Sequence, residues 1–367
     1  MTRVSAQAGS VEPSTRDLLA LYRPDLERTI ADSGHPGYRY AQAYQHLMRR
    51  PGSPLSEATN LPSDLREALD PLGHSTLVEH RKWEDADGTT KSLLAARDGA
   101  LIEAVVMRYE QRSTACLSSQ VGCSLGCTFC STGAMGFVRD LTAAEIVDQV
   151  RHLQALLAPE GRSISNIVFM GMGEPLLNLD AVLAAIRLLK DPEGMAFAQR
   201  ALSVSTIGIP SGIRRLAHEE PQVNLAISLH AADDKLRTQL VPANRRFALS
   251  EVLAAADDHF TITRRKLFVE YVLLGGVNDS TRHAVALADL LRGRVVTVNL
   301  IPCNPVRGGF EPPPAEVAAA FRDTLVQRGL TATLRTGRGR AILAGCGQLA
   351  TKTQAARKGI RNRGPDR

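Results

Sequence analysis

The cysteines of this 367-residue chain are unevenly placed, because residues 116–130 contain four of the six. The last three of these, Cys123, Cys127 and Cys130, stand in a C-x3-C-x2-C spacing. Thiolates are soft ligands that bind iron–sulfur clusters, and the common clusters take four of them. Because the motif offers three, it predicts a cluster with one iron open to a substrate or cofactor. Such an open position serves catalysis better than simple electron transfer.

Two other interpretations of the cysteine motif are weaker. A structural zinc site needs a fourth ligand, and no second C-x2-C or H-x3-H pair lies nearby. A disulfide framework is typical of small secreted chains, and residues 1–10 contain no apolar segment of a secretory signal. No apolar run approaches the roughly 18 residues of a membrane span. These patterns favour a reducing, cytoplasmic setting and a metal site.

Four short motifs that could bind a ligand occur later in the chain. Gly171-Met-Gly173-Glu174-Pro175 combines glycines, which let a ligand approach the backbone, with a carboxylate suited to an ammonium group. The other three contain small or polar residues, at 203–208, 228–230 and 301–305. Each is weak alone, because hydroxyls at strand ends often bond only the loop backbone and a lone histidine is more often structural.

The order of predicted elements brings these motifs together. Strands are predicted at 115–118, 166–170, 202–205, 224–228, 267–273 and 295–301. Helical spacing of apolar residues marks helices at 143–157, 181–189, 212–217, 250–258 and 282–291, and a last helix and strand at 314–328 and 331–334. This alternation predicts the α/β class, and six units suit a partial (βα)6 barrel. In such barrels the chemistry collects at the carboxyl ends of the strands, where every motif falls.

The two ends of the chain have different patterns. Residues from about 15 to 70 are predicted to be helical, and strands at 78–83 and 101–109 to form a hairpin with Asp-Gly turns. We expect an accessory domain at 1–108, a core at 109–350 and a disordered basic tail at 351–367. Between Lys352 and Arg367 six residues are basic and one is acidic. Such a tail is typical of an arm that meets phosphate backbones, or of a solvated end without function.

The motifs together resemble one family. Cys116-x6-Cys123-x3-Cys127-x2-Cys130, residues 171–175 and Ala344-Gly-Cys346-Gly-Gln-Leu349 are similar to the RlmN/Cfr family of radical S-adenosylmethionine RNA adenine methyltransferases. The resemblance covers nearly the whole chain, including 59–62, 87–89 and 101–105. It implies a radical S-adenosylmethionine barrel that binds a 4Fe-4S cluster through the three motif cysteines and uses two S-adenosylmethionine molecules per turnover. The residues that match the family's cofactor contacts are Gly173, Glu174, Ser205, Ser228, Leu229, His230 and Asn304.

The resemblance also implies catalytic roles. Cys346 would carry a methyl group to a ring carbon of adenine, and Cys116 would release the resulting protein–RNA adduct through a transient disulfide with Cys346. Glu103 matches the family's proposed proton acceptor. Without the resemblance, Cys116 is a small buried hydrophobe and Glu103 a solvent-facing strand residue. Cys346, between two glycines, is poorly placed for such packing.

The 118–123 segment and the long N-terminal region look more like the branch that methylates adenine C2 in 23S rRNA and in certain tRNAs. We expect a cytoplasmic monomer that receives electrons from flavodoxin or ferredoxin. The alternatives are C8 methylation, a radical enzyme acting on another substrate such as a peptide, and an iron–sulfur RNA-binding protein without turnover. Two features depart from the family: residues 339–343 lack the usual acidic pair, and Cys303 replaces a usual aromatic, which we interpret as packing.

Overall fold

One ten-stranded sheet organises residues 77–350 in the computed structural model of the chain. The structure describes residues 23–69, 75–304, 309–335 and 337–350, so the predicted basic tail lies outside the described residues. The chain divides into two compact units, one ending at Thr76 and the other beginning at Leu77. Among the described helices, none is long and apolar enough to cross a bilayer.

The first unit is helical where it is described, as predicted. Its helices are α1 (Arg23–Asp32), α2 (Arg39–Arg49) and α3 (Ser63–Leu69). Helix α2 buries Tyr40, Ala43 and Leu47, whose spacing places them on one face. The apolar face of α2 therefore packs into the core of this unit.

Three antiparallel strands begin the second unit: β1 (Leu77–Glu84), β2 (Thr89–Ala96) and β3 (Leu101–Arg108). Both Asp-Gly turns form as predicted, with Gly88 and Gly99 at positive φ. The predicted two-stranded hairpin is nevertheless a three-stranded meander. Strand β2 was missed because its Thr-Thr-Lys-Ser start does not alternate between polar and apolar residues.

The meander continues directly into the parallel sheet. Strand β3 pairs antiparallel with β4 (Ser113–Cys116), which in turn pairs parallel with β7 (Asn166–Phe169). The division between units therefore falls at Thr76, whereas the sequence placed a boundary near residue 108. Hydrogen bonding across β3 and β4 is the physical reason, because it makes the meander an extension of the sheet.

The parallel strands continue from β7 in chain order, without crossing back: β8 (Leu202–Thr206), β9 (Asn224–Ser228), β10 (Leu267–Leu273), β11 (Val296–Pro302) and β12 (Thr331–Leu334). The connecting helices are α5 (Ala143–Leu157), α6 (Leu179–Lys190), α7 (Pro210–Glu219), α8 (Asp234–Leu240), α9 (Leu249–Thr263), α10 (Thr281–Leu290) and α11 (Ala315–Gln327). This open arrangement confirms the predicted partial barrel of the α/β class. Helix α8, capped by the Asp233 side chain on Leu236 N at 2.8 Å, was not predicted.

Candidate active site

The three-cysteine loop is held by a short antiparallel ribbon outside the main sheet. Strand β5 (Gln120–Gly122) precedes the loop, and α4 (Ser131–Met135) and β6 (Phe137–Asp140) follow it. Gly122 has a φ of +77°, and a Cβ there would lie 1.9 Å from the carbonyl oxygen of Gly136. Only glycine fits this crossing. The crossing also lets Cys123 N donate to the same carbonyl at 3.1 Å, which fixes the start of the loop.

All three motif thiols line one cleft of about 1060 Å³, counted to its open mouth, together with the carboxyl ends of β7 to β11. Burial raises the pKa of the Cys123 thiol to about 11 and also raises the pKa of Cys127. Within the described ranges, no three histidine, cysteine or carboxylate side chains converge on a point that one ion could occupy. Three separated soft ligands suit a cluster of several irons, whose binding would deprotonate the thiols.

The Gly-Met-Gly-Glu-Pro motif follows β7 and forms the next wall of the cleft. Gly173 has a φ of +100°, and a Cβ there would lie 2.6 Å from the Gln120 side chain. Glu174 is 3% exposed, and its carboxylate accepts hydrogen bonds from Leu176 N at 3.1 Å and Ile207 N at 3.0 Å. Burial nevertheless raises the pKa of Glu174 to about 7. A ligand ammonium group beside this carboxyl would favour its ionised form.

The ends of β8 and β9 contribute paired hydroxyls and a neutral histidine. Ser205 Oγ lies 3.3 Å from Ser228 Oγ. His230 Nδ1 accepts a hydrogen bond from Val272 N at 3.1 Å, so Nε2 carries the proton of the neutral ring. Burial lowers the pKa of His230 to about 3. His230 also has a φ of +63°, a backbone strain that is often retained at functional sites.

Arg237, on α8, joins the ends of these strands and was missed by sequence analysis. Its guanidinium is fully buried and donates to the carbonyl oxygens of Ile207 and Leu229 and to Asn244 Oδ1, the last at 2.6 Å. Burial lowers the pKa of Arg237 to about 10, while the nearby Cys127 opposes this through charge. The guanidinium therefore fixes the backbone behind the cleft. A short polar helix gives no sequence signal for such burial.

The C-terminal loop, residues 343–350, docks on the three-cysteine loop. Ser131 N donates to Gly347 O at 2.7 Å, and Thr132 Oγ1 donates to Leu349 O at 2.7 Å. Cys346 lines the cleft and is exposed, as its flanking glycines predicted. Although the residue as a whole is exposed, desolvation of its sulfur by the cleft walls and the nearby Glu270 carboxylate raise the pKa of the Cys346 thiol to about 11. The loop thus brings a thiol from the far end of the chain to the cluster motif.

Asn304, at the end of β11, contacts this loop and leaves one polar atom unused. Its Nδ2 donates to Cys346 O at 3.3 Å, and a Cβ on Gly345 would lie 2.4 Å from the same nitrogen. Asn304 Oδ1 is buried and has no hydrogen-bond partner among the described residues. A buried acceptor facing a cleft costs free energy until a ligand donates to it.

Glu103 and Lys91 anchor the C-terminal loop from the meander. Glu103 is 2% exposed, so the solvent-facing alternative is wrong. Its carboxylate pairs with Lys91 Nζ at 3.1 Å and accepts from Ala350 N at 3.0 Å, while Lys91 Nζ also donates to Leu343 O at 3.1 Å. Burial raises the pKa of Glu103, and the Lys91 charge opposes that rise. Lys91 was missed because β2 was missed.

Cys116 lies at the end of β4, paired across the sheet with Val105 and Val168. Burial raises the pKa of the Cys116 thiol to about 12, and the charge of Cys346 adds to the rise. Both thiols are unbridged. The lining of the cleft contains Cys346 and the three motif thiols but not Cys116, so the pairing of Cys116 with Cys346 stays a prediction.

Most of the residues predicted to contact the cofactor line the cleft. Of the seven predicted cofactor contacts, six line the cleft and Leu229 lies buried behind it, with its N–H donating to Glu270 O at 3.0 Å. Cys303 also lines the cleft while remaining 4% exposed. Glu270, which sequence analysis did not identify, lines the same cleft and accepts from Asn299 Nδ2 at 2.7 Å. The only sequence feature that could have identified Glu270 is its position as a carboxylate within an otherwise apolar strand.

These features fit an iron–sulfur cluster and S-adenosylmethionine. The three thiols supply soft ligands and leave a fourth position open. Glu174 and the unpaired Asn304 Oδ1 would suit the ammonium and hydroxyl groups of the cofactor as acceptors. Glycines 171 and 173 let this wall pack closely against Leu117 and Gln120, where a Cβ would come within 2.7 and 2.6 Å.

A partial barrel with this cysteine loop after its first parallel strand and a Gly-Glu motif after the second defines a radical S-adenosylmethionine enzyme. Residues 117–288 match the model of the Radical SAM superfamily. The dual-specificity RNA methyltransferase RlmN of Syntrophobacter fumaroxidans is 44% identical over 90% of this chain and 96% of its own length. The ribosomal RNA large subunit methyltransferase N of Nitrosopumilus maritimus is 41% identical, over 91% of this chain and 98% of its own.

This chain belongs to the RlmN family of radical S-adenosylmethionine RNA methyltransferases. Its fold is also similar to the crystal structure of a radical SAM methyltransferase from Sphaerobacter thermophilus. That likeness has a TM-score of 0.87 and 44% identity, and covers 91% of this chain and 98% of the other. The resemblance inferred from the motifs is therefore confirmed.

Proposed function

We propose that this protein methylates an adenine ring carbon, C2, in 23S rRNA and in tRNA, with Cys346 as the methyl carrier. The observation that carries the proposal is the position of Cys346. Its loop is hydrogen-bonded to the three-cysteine loop through Ser131 and Thr132, and its thiol lines the same cleft as Glu174 and His230.

Different residues bind the two proposed cofactors. Cys123, Cys127 and Cys130 hold the 4Fe-4S cluster. Gly173, Glu174, Ser205, Ser228, Leu229, His230 and Asn304 hold S-adenosylmethionine, Leu229 through the backbone. When bound, the cluster and two cofactor molecules per turnover supply a methyl group and a 5′-deoxyadenosyl radical. This chemistry suits a ring carbon between two nitrogens, which is electron-poor and a poor partner for direct methyl displacement.

The chain's own residues then complete the transfer. The S-methyl group of Cys346 loses one hydrogen atom to the 5′-deoxyadenosyl radical, and its methylene carbon then bonds to the ring carbon. This adduct loses one electron, which restores the electron spent on cofactor cleavage, and Glu103 accepts the proton that the ring carbon loses. The Cys116 thiolate attacks the sulfur of Cys346, so the carbon–sulfur bond breaks with its electron pair on the product, which gains a proton to become methyl. A Cys116–Cys346 disulfide remains and is reduced by two electrons before the next turnover.

The RNA presents an unpaired adenosine, because the target carbon must reach a thiol inside a cleft. Residues 1–108, which comprise the helical unit and the meander that extends the sheet, act as the accessory RNA-binding region, and the basic segment 351–367 adds contacts to phosphates. We further propose that the enzyme is a cytoplasmic monomer, reduced by a flavodoxin or ferredoxin. The preference for C2 over C8 rests on the 118–123 segment and the long N-terminal region.

The proposal is tested by anaerobic reconstitution with methyl-labelled S-adenosylmethionine, bulk rRNA and tRNA, and by mass spectrometry of the digested nucleosides. We expect labelled 2-methyladenosine from both RNAs. Labelled 8-methyladenosine would overturn the C2 assignment, and cofactor cleavage without any methyladenosine would indicate a different substrate. RNA binding without cofactor cleavage would indicate a regulatory protein.

A further inference from the structure

A short arginine-rich segment borders the mouth of the cleft and is not used by the proposed chemistry. It follows β12 and precedes the C-terminal loop, with arginines at 335, 338 and 340, and Thr336 lies outside the described residues. Since β12 is parallel to its neighbour, its carboxyl end lies at the mouth. The segment therefore places three cations beside the opening through which an RNA base would enter.

One of the three arginines has a structural role. Arg338 Nη1 donates to the carbonyl oxygens of Asp87 and Arg108, both at 2.7 Å, and its guanidinium lies 4.3 Å from the centroid of the Tyr109 ring. Asp87 also accepts from Gly339 N at 2.8 Å, and Asp85 accepts from Ala341 N at 3.3 Å. The turn between β1 and β2 therefore fixes the backbone of the segment.

The other two arginines are exposed on this fixed backbone. In the part of the chain that the structure describes, neither Arg335 nor Arg340 has a side-chain hydrogen bond or ion pair. The Arg340 guanidinium lies against Gly337, where a Cβ would come within 2.2 Å of Nε. A side chain at 337 would displace it, so glycine keeps this cation in place.

Both exposed cations act on groups inside the cleft. The charge of Arg335 lowers the pKa of Cys346 and of Glu270 against the larger effect of burial, and Arg340 acts likewise on Cys303. These three partners line the cleft. The geometry agrees, since Arg335 N donates to Leu300 O at 2.8 Å, one residue before Ile301 of the cleft lining. The exposed side chains of Arg335 and Arg340 are therefore available to an anionic ligand beside the cleft.

We propose that Arg335 and Arg340 bind backbone phosphates of the RNA strand next to the adenosine presented to Cys346. The inference rests on the proposed function, since it requires an RNA substrate. Arginine suits the role because its planar fork donates two hydrogen bonds to a phosphate. The pair fixes the register of the strand at the mouth, and the base is recognised deeper in the cleft.

The salt dependence of RNA binding tests this inference. For the holoenzyme, the affinity for a single-stranded or loop RNA containing the target adenosine is measured between low and moderate salt. Each phosphate contact in single strands contributes about 0.7 to the slope of log affinity against log salt, so losing two should reduce the slope by roughly 1.4. The Arg335→Gln/Arg340→Gln double variant should show this loss and weaken binding most at low salt.

Arg292→Gln and the double lysine variant are the controls. Arg292 lies between α10 and β11, at the opposite end of the barrel, and is 76% exposed, so its removal changes net charge without touching the mouth. We expect an unchanged slope for Arg292→Gln and a retained slope for Arg335→Lys/Arg340→Lys. RNA-independent cofactor cleavage should be normal in every variant, which shows that the barrel is intact.

Three results would contradict the inference, and they can be told apart. If the wild-type enzyme methylates RNA and the double glutamine variant keeps the full slope, the phosphate contacts are refuted while the proposed function stands. If the wild-type enzyme neither binds nor methylates RNA, the proposed function fails and this inference fails with it. An equal slope loss in Arg292→Gln would show a general charge effect and also overturn the inference.

Discussion

Two walls of the same cleft are built in opposite ways. The ends of β8 and β9, with Glu174, form a wall whose polar groups are buried and bonded to backbone, through Arg237, His230 and the Glu174 carboxylate. The C-terminal loop is bonded at one end to Lys91 through Leu343 O, at the other end to Glu103 through Ala350 N, and near its middle to Ser131 through Gly347 O, while its Cys346 is exposed.

This difference suggests a division of labour. A cofactor must be held in one geometry, and buried, satisfied hydrogen bonds supply that rigidity. The thiol of a methyl carrier must meet a methyl donor, an RNA base and a second thiol in turn. Ser131 and Asn304 hold the backbone beside Cys346, but the Cys346 side chain is exposed and can reach such partners more readily than the buried polar groups at the strand ends.

The largest effect on activity is expected when Cys346 is compared with Cys303, another thiol that lines the same cleft. Cys346→Ser removes the methyl carrier, so RNA methylation measured with labelled cofactor should fall to background. Cys303→Ser, which changes a cleft thiol outside the three-cysteine motif, should leave most of the activity. Equal loss in both variants, or turnover by Cys346→Ser, would contradict the assigned difference between them.

We call the wall formed by the ends of β8 and β9 and by Glu174 the rigid wall. Its stability is tested by replacing Arg237. Arg237→Met leaves buried carbonyl oxygens without donors, so the free energy of unfolding should fall by about 3 kcal/mol. Arg292→Met, at an exposed position, should change it by less than about 0.5 kcal/mol. Urea unfolding of both variants makes the measurement, and similar values for the two would show that α8 does not hold the wall.

The anchor of the C-terminal loop is tested through Glu103. Glu103→Gln keeps the shape but removes both the proton acceptor and the counter-charge of Lys91, so activity should fall about 100-fold or more and stability should also fall. The Glu103→Gln/Lys91→Met double variant no longer buries an unpaired cation and should recover stability without activity. Recovery of activity would show that Glu103 only holds the loop.

Lowering the pH should reduce the free energy of unfolding through two buried histidines, by less than the Arg237→Met substitution does. Burial lowers the pKa of His230 to about 3 and that of His259, on α9, to about 4, below the ordinary histidine value of 6.5. At these two histidines the unfolded chain therefore binds more protons than the folded chain, and their contribution to stability is lost as pH falls from about 6.5 toward 4. Because the raised pKa of Glu174, about 7, acts in the opposite direction in this range, the comparison is made in a Glu174→Gln background. Urea midpoints at pH 7.5 and 5 check this. His259→Gln should reduce the difference, and a pH-independent midpoint would contradict it.

The sequence predicted the barrel well because its strands are short apolar runs, such as Leu225 to Ile227, separated by amphipathic helices. It also predicted the site residues that stand in contiguous motifs. Strand β2 and helix α8 escaped because their burial comes from neighbours rather than from an apolar pattern. Lys91 and Arg237 escaped with them, since a buried cation looks like a surface residue until its partners are placed.

Pairings across the chain depended on family resemblance. Nothing in the spacing of residues 116 and 346 predicts that they meet. The structure shows that the C-terminal loop folds back, after the last strand, onto the end of the three-cysteine loop that follows β4, and the pairing of the two thiols remains a proposal. The burial of Glu103 could not be predicted from its own strand either. Glu103 is buried because the C-terminal loop, through Ala350, covers it.

The most direct test of the central claim is the fate of the RNA in the Cys116→Ala variant. Without the resolving thiol, the adduct should persist as a covalent protein–RNA complex. Digestion and peptide mass spectrometry should find adenosine linked through one methylene group to Cys346. Free methylated RNA formed over many turnovers by Cys116→Ala, or a crosslink at any other residue, would contradict transfer through Cys346 and release by Cys116.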